Sequence, residues 1–96
     1  MKDYSEKLGF VIASSYRRRV LVKLLDDFKT PSQLCTELSL LSEQLSRTLK
    51  ELSDKGLITC LNPQARKGRL YSLTPQGREI AIRIMKESGT RGREEV

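Results

Sequence analysis

The stretch from Thr30 to Ile58, TPSQLCTELSLLSEQLSRTLKELSDKGLI, leaves a chain few ways to fold. Thr30 as N-cap, Pro31 at the first helical position and Gln33 at the third make a capping box, which predicts a helix over residues 31–38. Leu34 and Leu38 form its inward pair, with Cys35 beside them. Ser39, Leu40 and Leu41 are too few to form anything but a tight corner. A second helix is predicted over 42–55, because Leu45, Leu49 and Leu52 recur at the spacing of an amphipathic helix resting on a core. Gly56 ends it where a left-handed conformation carries no Cβ penalty, and Lys55 lies near the negative end of the helix dipole. Two helices joined by so short a corner must cross steeply, so that one projects while the other braces it. The outer face of the second helix, Glu43, Arg47, Lys50 and Asp54, then meets either water or something the protein recognises.

The flanking segments supply the core. Tyr4, Leu8, Val11 and Ile12 predict a short helix over 4–13. Ser14 or Ser15 caps a further helix, in which Val20, Leu21, Leu24, Leu25 and Phe28 form a wide apolar stripe through residue 28. Past Gly56 the hydrophobic period changes to 2. LITCL and RLYSL read as paired strands, and NPQARKG between them reads as a basic hairpin tip, with Tyr71 and Leu73 facing the core. Thr74 and Pro75 repeat the cap signal and start a last helix over 75–88. Its Ile80, Ala81, Ile82, Ile84 and Met85 spread over roughly 200° of the wheel, more than one small core covers, so the excess is expected to face a partner chain. A homodimer is the reading, with Tyr4 and Leu8 of the first helix and Ile80, Ile82, Ile84 and Met85 of the last at its interface. GTRGREEV, residues 89–96, has no apolar anchor and is expected to form a flexible tail, leaving 1–88 as the domain. The fold class is mainly α with a small β-hairpin.

Composition narrows the function. Ninety-six residues cannot support two cores, and 38% hydrophobic with 31% charged residues is a globular balance. No apolar run approaches the roughly 20 residues a bilayer requires, no secretory signal is evident, and a cytoplasmic location without membrane contact is expected. The chain has no histidine, and its two cysteines lack CxxC spacing, which argues against a metal site. Without a histidine, a phosphate loop or paired carboxylates, neither an enzyme nor a cofactor is expected. Cys35 and Cys60 sit in apolar patterns, so packing is the leading reading and thiol sensing the alternative. Net charge is +6, and residues 62–93 hold eight Lys or Arg against two acids. Such concentration suggests an acidic polymer as partner. With 5% aromatic residues the chain lacks the repeated stacking platforms of single-strand binders.

A capped helix, a tight corner, a second helix and a basic hairpin make a helix-turn-helix with a wing. In LCTELSLLSEQLSRTLKELSDKGLI and RLYSLTPQGREIA the chain resembles the winged helix-turn-helix transcription regulators of the broad MarR and ArsR type, particularly small archaeal members. The resemblance covers residues of about 15 to 86, and its strings fall in order at the family's separations. It implies double-stranded DNA as partner and residues 42–55 as the recognition helix, with Ser42, Glu43, Gln44, Ser46, Arg47 and Lys50 on or beside the DNA-facing surface. It implies a wing over 62–69 whose Arg66, Lys67 and Arg69 lie near the minor groove or its flanking phosphates, and a dimer-supporting helix beginning at Thr74 to Gly77. Two positions depart from the pattern. Ser39 stands where the corner usually has Gly, and Leu41 where the helix usually has a Ser cap, which moves the expected cap to Ser42.

The residues also admit blander roles. Arg47 lies opposite the leucine stripe and could simply pair with Glu43 or Glu51 at i±4. Lys50, a flexible point charge, suits a phosphate better than a base. Arg17, Arg18 and Arg19 span 200° of a helix, so ordinary solvation with one packed arm is expected of them. The alternative function is a winged-helix protein-interaction module without specific DNA binding. A ligand- or thiol-responsive switch could be layered on DNA binding, but no effector is legible in the sequence.

Overall fold

The computed structural model describes the backbone of residues 2–95 and the side chains of residues 5–87. Five helices and one hairpin follow in the order α1 (Lys2–Ile12), α2 (Ser15–Lys23), α3 (Pro31–Leu38), α4 (Ser42–Asp54), β1 (Ile58–Cys60), β2 (Tyr71–Leu73) and α5 (Pro75–Glu95). α2 is the hub, packing against α1, α3, α4 and α5. Val11, Val20, Leu21, Leu34, Leu45, Leu52, Leu57 and Ile80 are the fully buried large side chains at its centre.

The caps explain where the elements start. Ser14 Oγ accepts from Arg17 N–H at the head of α2 (3.4 Å). At α3 the capping box is complete: Gln33 N–H donates to Thr30 Oγ1 (3.1 Å), and Thr30 N–H donates to Gln33 Oε1 (2.8 Å). Both helices flanking the corner end in a left-handed turn closed by a six-to-one hydrogen bond. Leu40 N–H donates to Cys35 O (3.0 Å) past Ser39 at φ 55°, and Leu57 N–H donates to Leu52 O (3.0 Å) past Gly56 at φ 73°. Ser39 thus takes a conformation that favours glycine, which is how the corner tolerates the departure noted in its sequence.

Several caps and boundaries differ from those the sequence predicts. α2 stops at Lys23 rather than running through 28, because the chain must be extended by Lys29: Lys29 N–H donates to Tyr71 O (3.0 Å) and Tyr71 N–H to Lys29 O (2.9 Å). Phe28 leaves the expected stripe and is 47% exposed. α1 starts at Lys2 and ends at Ile12. α4 is capped at Leu41, not Ser42: Leu41 is extended (φ −75°, ψ 150°) and lacks an acceptor, while Gln44 Oε1 reaches back to accept from Leu41 N–H (3.3 Å). Lastly, the α5 backbone continues helical to Glu95, whereas the sequence predicts a tail from 89.

The hairpin pairs antiparallel in the register Ile58 with Leu73, Thr59 with Ser72 and Cys60 with Tyr71. Tyr71 and Leu73 pack on the core as expected, and Cys35 joins them there. Thr74 then joins three elements. Its N–H donates to Leu57 O (3.0 Å), its hydroxyl donates to Gly56 O (2.7 Å), and its Oγ1 accepts from Gly77 N–H (3.1 Å) to cap α5. Gly77 is needed for a different reason, since a Cβ there would lie 1.9 Å from Leu57 O. The first turn of α5 rests directly on the backbone that leaves α4.

Candidate nucleic-acid interface

Burial fixes the orientation of α4. Leu45, Thr48, Leu49 and Leu52 are inward, and the one polar member, Thr48, donates its hydroxyl to Gln44 O (2.8 Å). With that face committed, a 100° advance per residue leaves Glu43, Arg47, Lys50 and Asp54 in an outward ridge, all exposed, with Ser42 and Ser46 exposed on its shoulder. Arg47 pairs with neither Glu43 nor Glu51, and has no hydrogen-bond or ionic partner among the described residues. Lys50 touches Asp54 (3.4 Å) in a pair that is mostly exposed. Such a surface pair contributes about 0.3–0.5 kcal/mol, little enough for the ammonium to exchange its partner for a phosphate. Ser46 and Lys50 also edge a cleft of about 340 Å³ with Pro31, Leu49, Ser53 and Tyr71.

Gln44 has another task. The residue is half-buried, and its carboxamide accepts from Leu41 N–H and donates from Nε2 to Tyr16 Oη (2.8 Å). The residue expected beside the DNA therefore orders the start of α4 and ties it to α2. Tyr16 was not singled out by the sequence; an exposed tyrosine beside a serine cap gives no signal of a partner 28 positions away.

Arg17 is the packed arm of the arginine run. Its Nε donates to Glu51 Oε1 (3.1 Å), its Nη1 donates to Phe10 O (2.8 Å), and its Cζ stands 3.8 Å from the Phe10 ring centroid. Lys55 Nζ approaches the same ring at 5.1 Å. Planar guanidinium stacks and donates at once, which an ammonium does not, and the result is a tie from α1 through α2 to the back of α4. Arg18 donates to Ile12 O and Arg19 to Leu38 O, so all three arginines cap carbonyls in or ending α1 and α3 rather than being merely solvated. Spacing shows that only one can pack; it does not show that the others find helix ends.

The wing is built mostly from its own polar groups. Leu61 N–H donates to Leu70 O (2.7 Å) below the tip. Asn62 Oδ1 accepts from Leu70 N–H (2.7 Å), and its Nδ2 donates to Gly68 O (3.1 Å). Arg69, though exposed, folds back on the tip, donating to Ala65 O (2.8 Å) and Pro63 O (3.2 Å). It was expected to point at phosphates, but with both bonds in place it braces the tip. Arg66 and Lys67 are exposed and have no partner among the described residues.

The surface expected to meet a partner chain divides in two. Ile80 is fully buried and Ile84 only 8% exposed, both within the chain's own core, so together they offer a second chain very little area. Ile82 and Met85 are exposed on α5, and Leu8 is half-buried against the core. The side chain of Tyr4 lies outside the described residues. Met85 and Ile84 also line a cleft of about 440 Å³ with Val22, Leu38 and the rim residues Arg18, Arg19, Lys23 and Asp26. Among the described residues no three His, Cys, Asp or Glu side chains gather as metal ligands, and no helix is long and apolar enough to cross a membrane.

The family model for HxlR-like helix-turn-helix proteins matches residues 11–94. No curated protein matches the sequence. Among solved structures the chain is similar to the reduced form of MarR from E. coli, 27% identical with a TM-score of 0.76 over 98% of this chain and 71% of that one. It is similar to a mutant of that protein complexed with operator DNA, 27% identical with a TM-score of 0.72 over 98% of this chain and 69% of that one. A MarR family transcription regulator is 29% identical, with a TM-score of 0.72 over 81% of this chain and 53% of that one, so the chain spans about half of that relative's length. The expected winged helix-turn-helix is the fold observed.

Proposed function

The chain belongs to the HxlR-like helix-turn-helix family, and on that premise we propose that it is a sequence-specific double-stranded-DNA-binding transcription regulator, not an enzyme, acting in the cytoplasm as a homodimer. The observation that carries this reading is the outward ridge of α4. Its Arg47 has no partner among the described residues, while the opposite face is buried and its Glu51 is held by Arg17. A helix so seated can place a few side chains in a major groove about 12 Å wide with a fixed register, which base reading requires. Arg47 serves as the base-reading residue, with Ser42, Glu43 and Ser46 beside it. Lys50, Arg66 and Lys67 contact phosphates, which position the protein without carrying sequence.

Two copies joined through Ile82 and Met85 of α5, with α1 alongside, would present two α4 helices about 34–36 Å apart to successive grooves of a pseudo-palindromic site. Arg69 and Gln44 have positioning roles in this arrangement, since their polar groups are already engaged within the chain.

Fluorescence-anisotropy titration of random duplex DNA at 50 to 200 mM salt is the test, followed by selection of sites from a random duplex library. Affinity should fall steeply across that salt range, as it does when about 6–10 phosphates are neutralised. Binding no tighter than about 10⁻⁴ M would displace this reading in favour of a protein-interaction module.

A further inference from the structure

We propose that Leu41 is a specificity-determining residue that reads the 5-methyl group of a thymine in the major groove; the inference rests on the DNA-binding role of α4 proposed above. Leu41 is 68% exposed, the most exposed of the large hydrophobic residues among those described. Its neighbours do not share that position. Leu40 immediately before it and Leu45 in the first turn of α4 are both in the core cluster, so the apolar contact that fixes the entry of a helix is already made without Leu41. Nor does Leu41 serve the helix end, where serine, threonine, aspartate or asparagine would accept a backbone N–H and leucine cannot. Gln44 restores only one bond, to the Leu41 N–H, from inside the helix. The side chain contributes to neither the core nor the cap, and it stands at the end of α4 from which helix-turn-helix proteins contact base edges.

The chemistry of that position selects the partner. The thymine methyl is the one apolar group on a major-groove base edge, and an aliphatic side chain meets it by excluding water rather than by hydrogen bonding. A protein surface as partner fits less well, because the polar ridge and the cations Arg47, Arg66 and Lys67, unpaired among the described residues, surround α4 and the wing with charge suited to a polyanion. Arg47 and Leu41 lie six residues apart, so a hydrogen-bonded reading and an apolar reading come from different parts of the same helix.

The test uses the full chain and a duplex selected from a random library, in which each thymine is replaced in turn by deoxyuridine, a change that removes the methyl and nothing else. One thymine position in each half-site should lose about fourfold in affinity, the equivalent of ~0.8 kcal/mol for one buried carbon. Leu41→Ser should abolish that discrimination, with the thymine and uracil duplexes binding alike, while raising the thermal midpoint because a capping hydroxyl has been supplied. Leu41→Ala should abolish it as well, without the gain in stability. Uniform indifference to deoxyuridine in the parent chain, or discrimination that survives in both variants, would overturn the assignment of Leu41 while leaving DNA binding intact. Failure to bind any duplex would overturn both readings together.

Discussion

α4 and the wing both present cations that have no partner among the described residues, yet the chain holds the two in different ways. α4 has four residues buried on one face, an arginine clamp at its back and a Schellman turn at each side of its seat. The wing has a three-pair ladder, and above it the tip is held by the side chains of Asn62 and Arg69 bonding to its own backbone. Packing in a core is close to crystalline and leaves a helix little freedom, whereas an exposed loop held by a few hydrogen bonds opens locally at small cost. Base reading needs the first kind of support. Phosphate contact tolerates the second, because a charge a few ångströms out of place still feels the backbone.

The largest effect should come from breaking what the two regions share. Gly77→Ala places a Cβ against Leu57 O, between the end of α4 and the first turn of α5, and urea unfolding should show a loss of about 3 kcal/mol. A loss under about 0.5 kcal/mol would mean that α5 can lift from this backbone without consequence. Next, Arg47→Ala should leave the unfolding midpoint unchanged, weaken binding to a selected site by about 1–3 kcal/mol and relax preference at one base pair. The wing should answer differently. Lys67→Ala should weaken selected and random duplexes alike and reduce the slope of log affinity against log salt by about one, and a sequence-dependent loss there would mean that the wing reads bases as α4 does. The smallest effect concerns the seat of α4. Ser39→Gly removes a left-handed penalty of about 1–2 kcal/mol but adds about 0.5–1 kcal/mol of unfolded-chain entropy, so thermal unfolding should show a gain of about 0.5 kcal/mol.

How much of this was legible depended on how local its cause was. The capping box at Thr30, the glycine stop at Gly56, the period change after it and the Thr74-Pro75 start all involve residues within a few positions of one another, and each took the form read from the sequence. The end of α2 did not, because Lys29 leaves the helix to pair with Tyr71, 42 positions away. The outer face of α4 was legible from periodicity, but which of its members lack a partner among the described residues was not. Gln44 and Arg69 carry the residue types of a binding surface and are engaged internally, through partners that spacing cannot reveal. Likewise, a 200° apolar arc on the last helix indicated more than one surface without saying that Ile80 and Ile84 belong to the core and Ile82 and Met85 to the outside.

The order of elements, the corner, and the side of α4 that turns away from the core were already set by the amino-acid pattern, since these follow from backbone geometry and from which side chains avoid water. It took the packed chain to show that Arg17 is the arginine that clamps α4, that Gly77 answers to Leu57 O, and that the Leu41 side chain serves neither the core nor the cap. Those outcomes depend on atoms brought together from distant parts of the chain, and a linear pattern carries no measure of their distance.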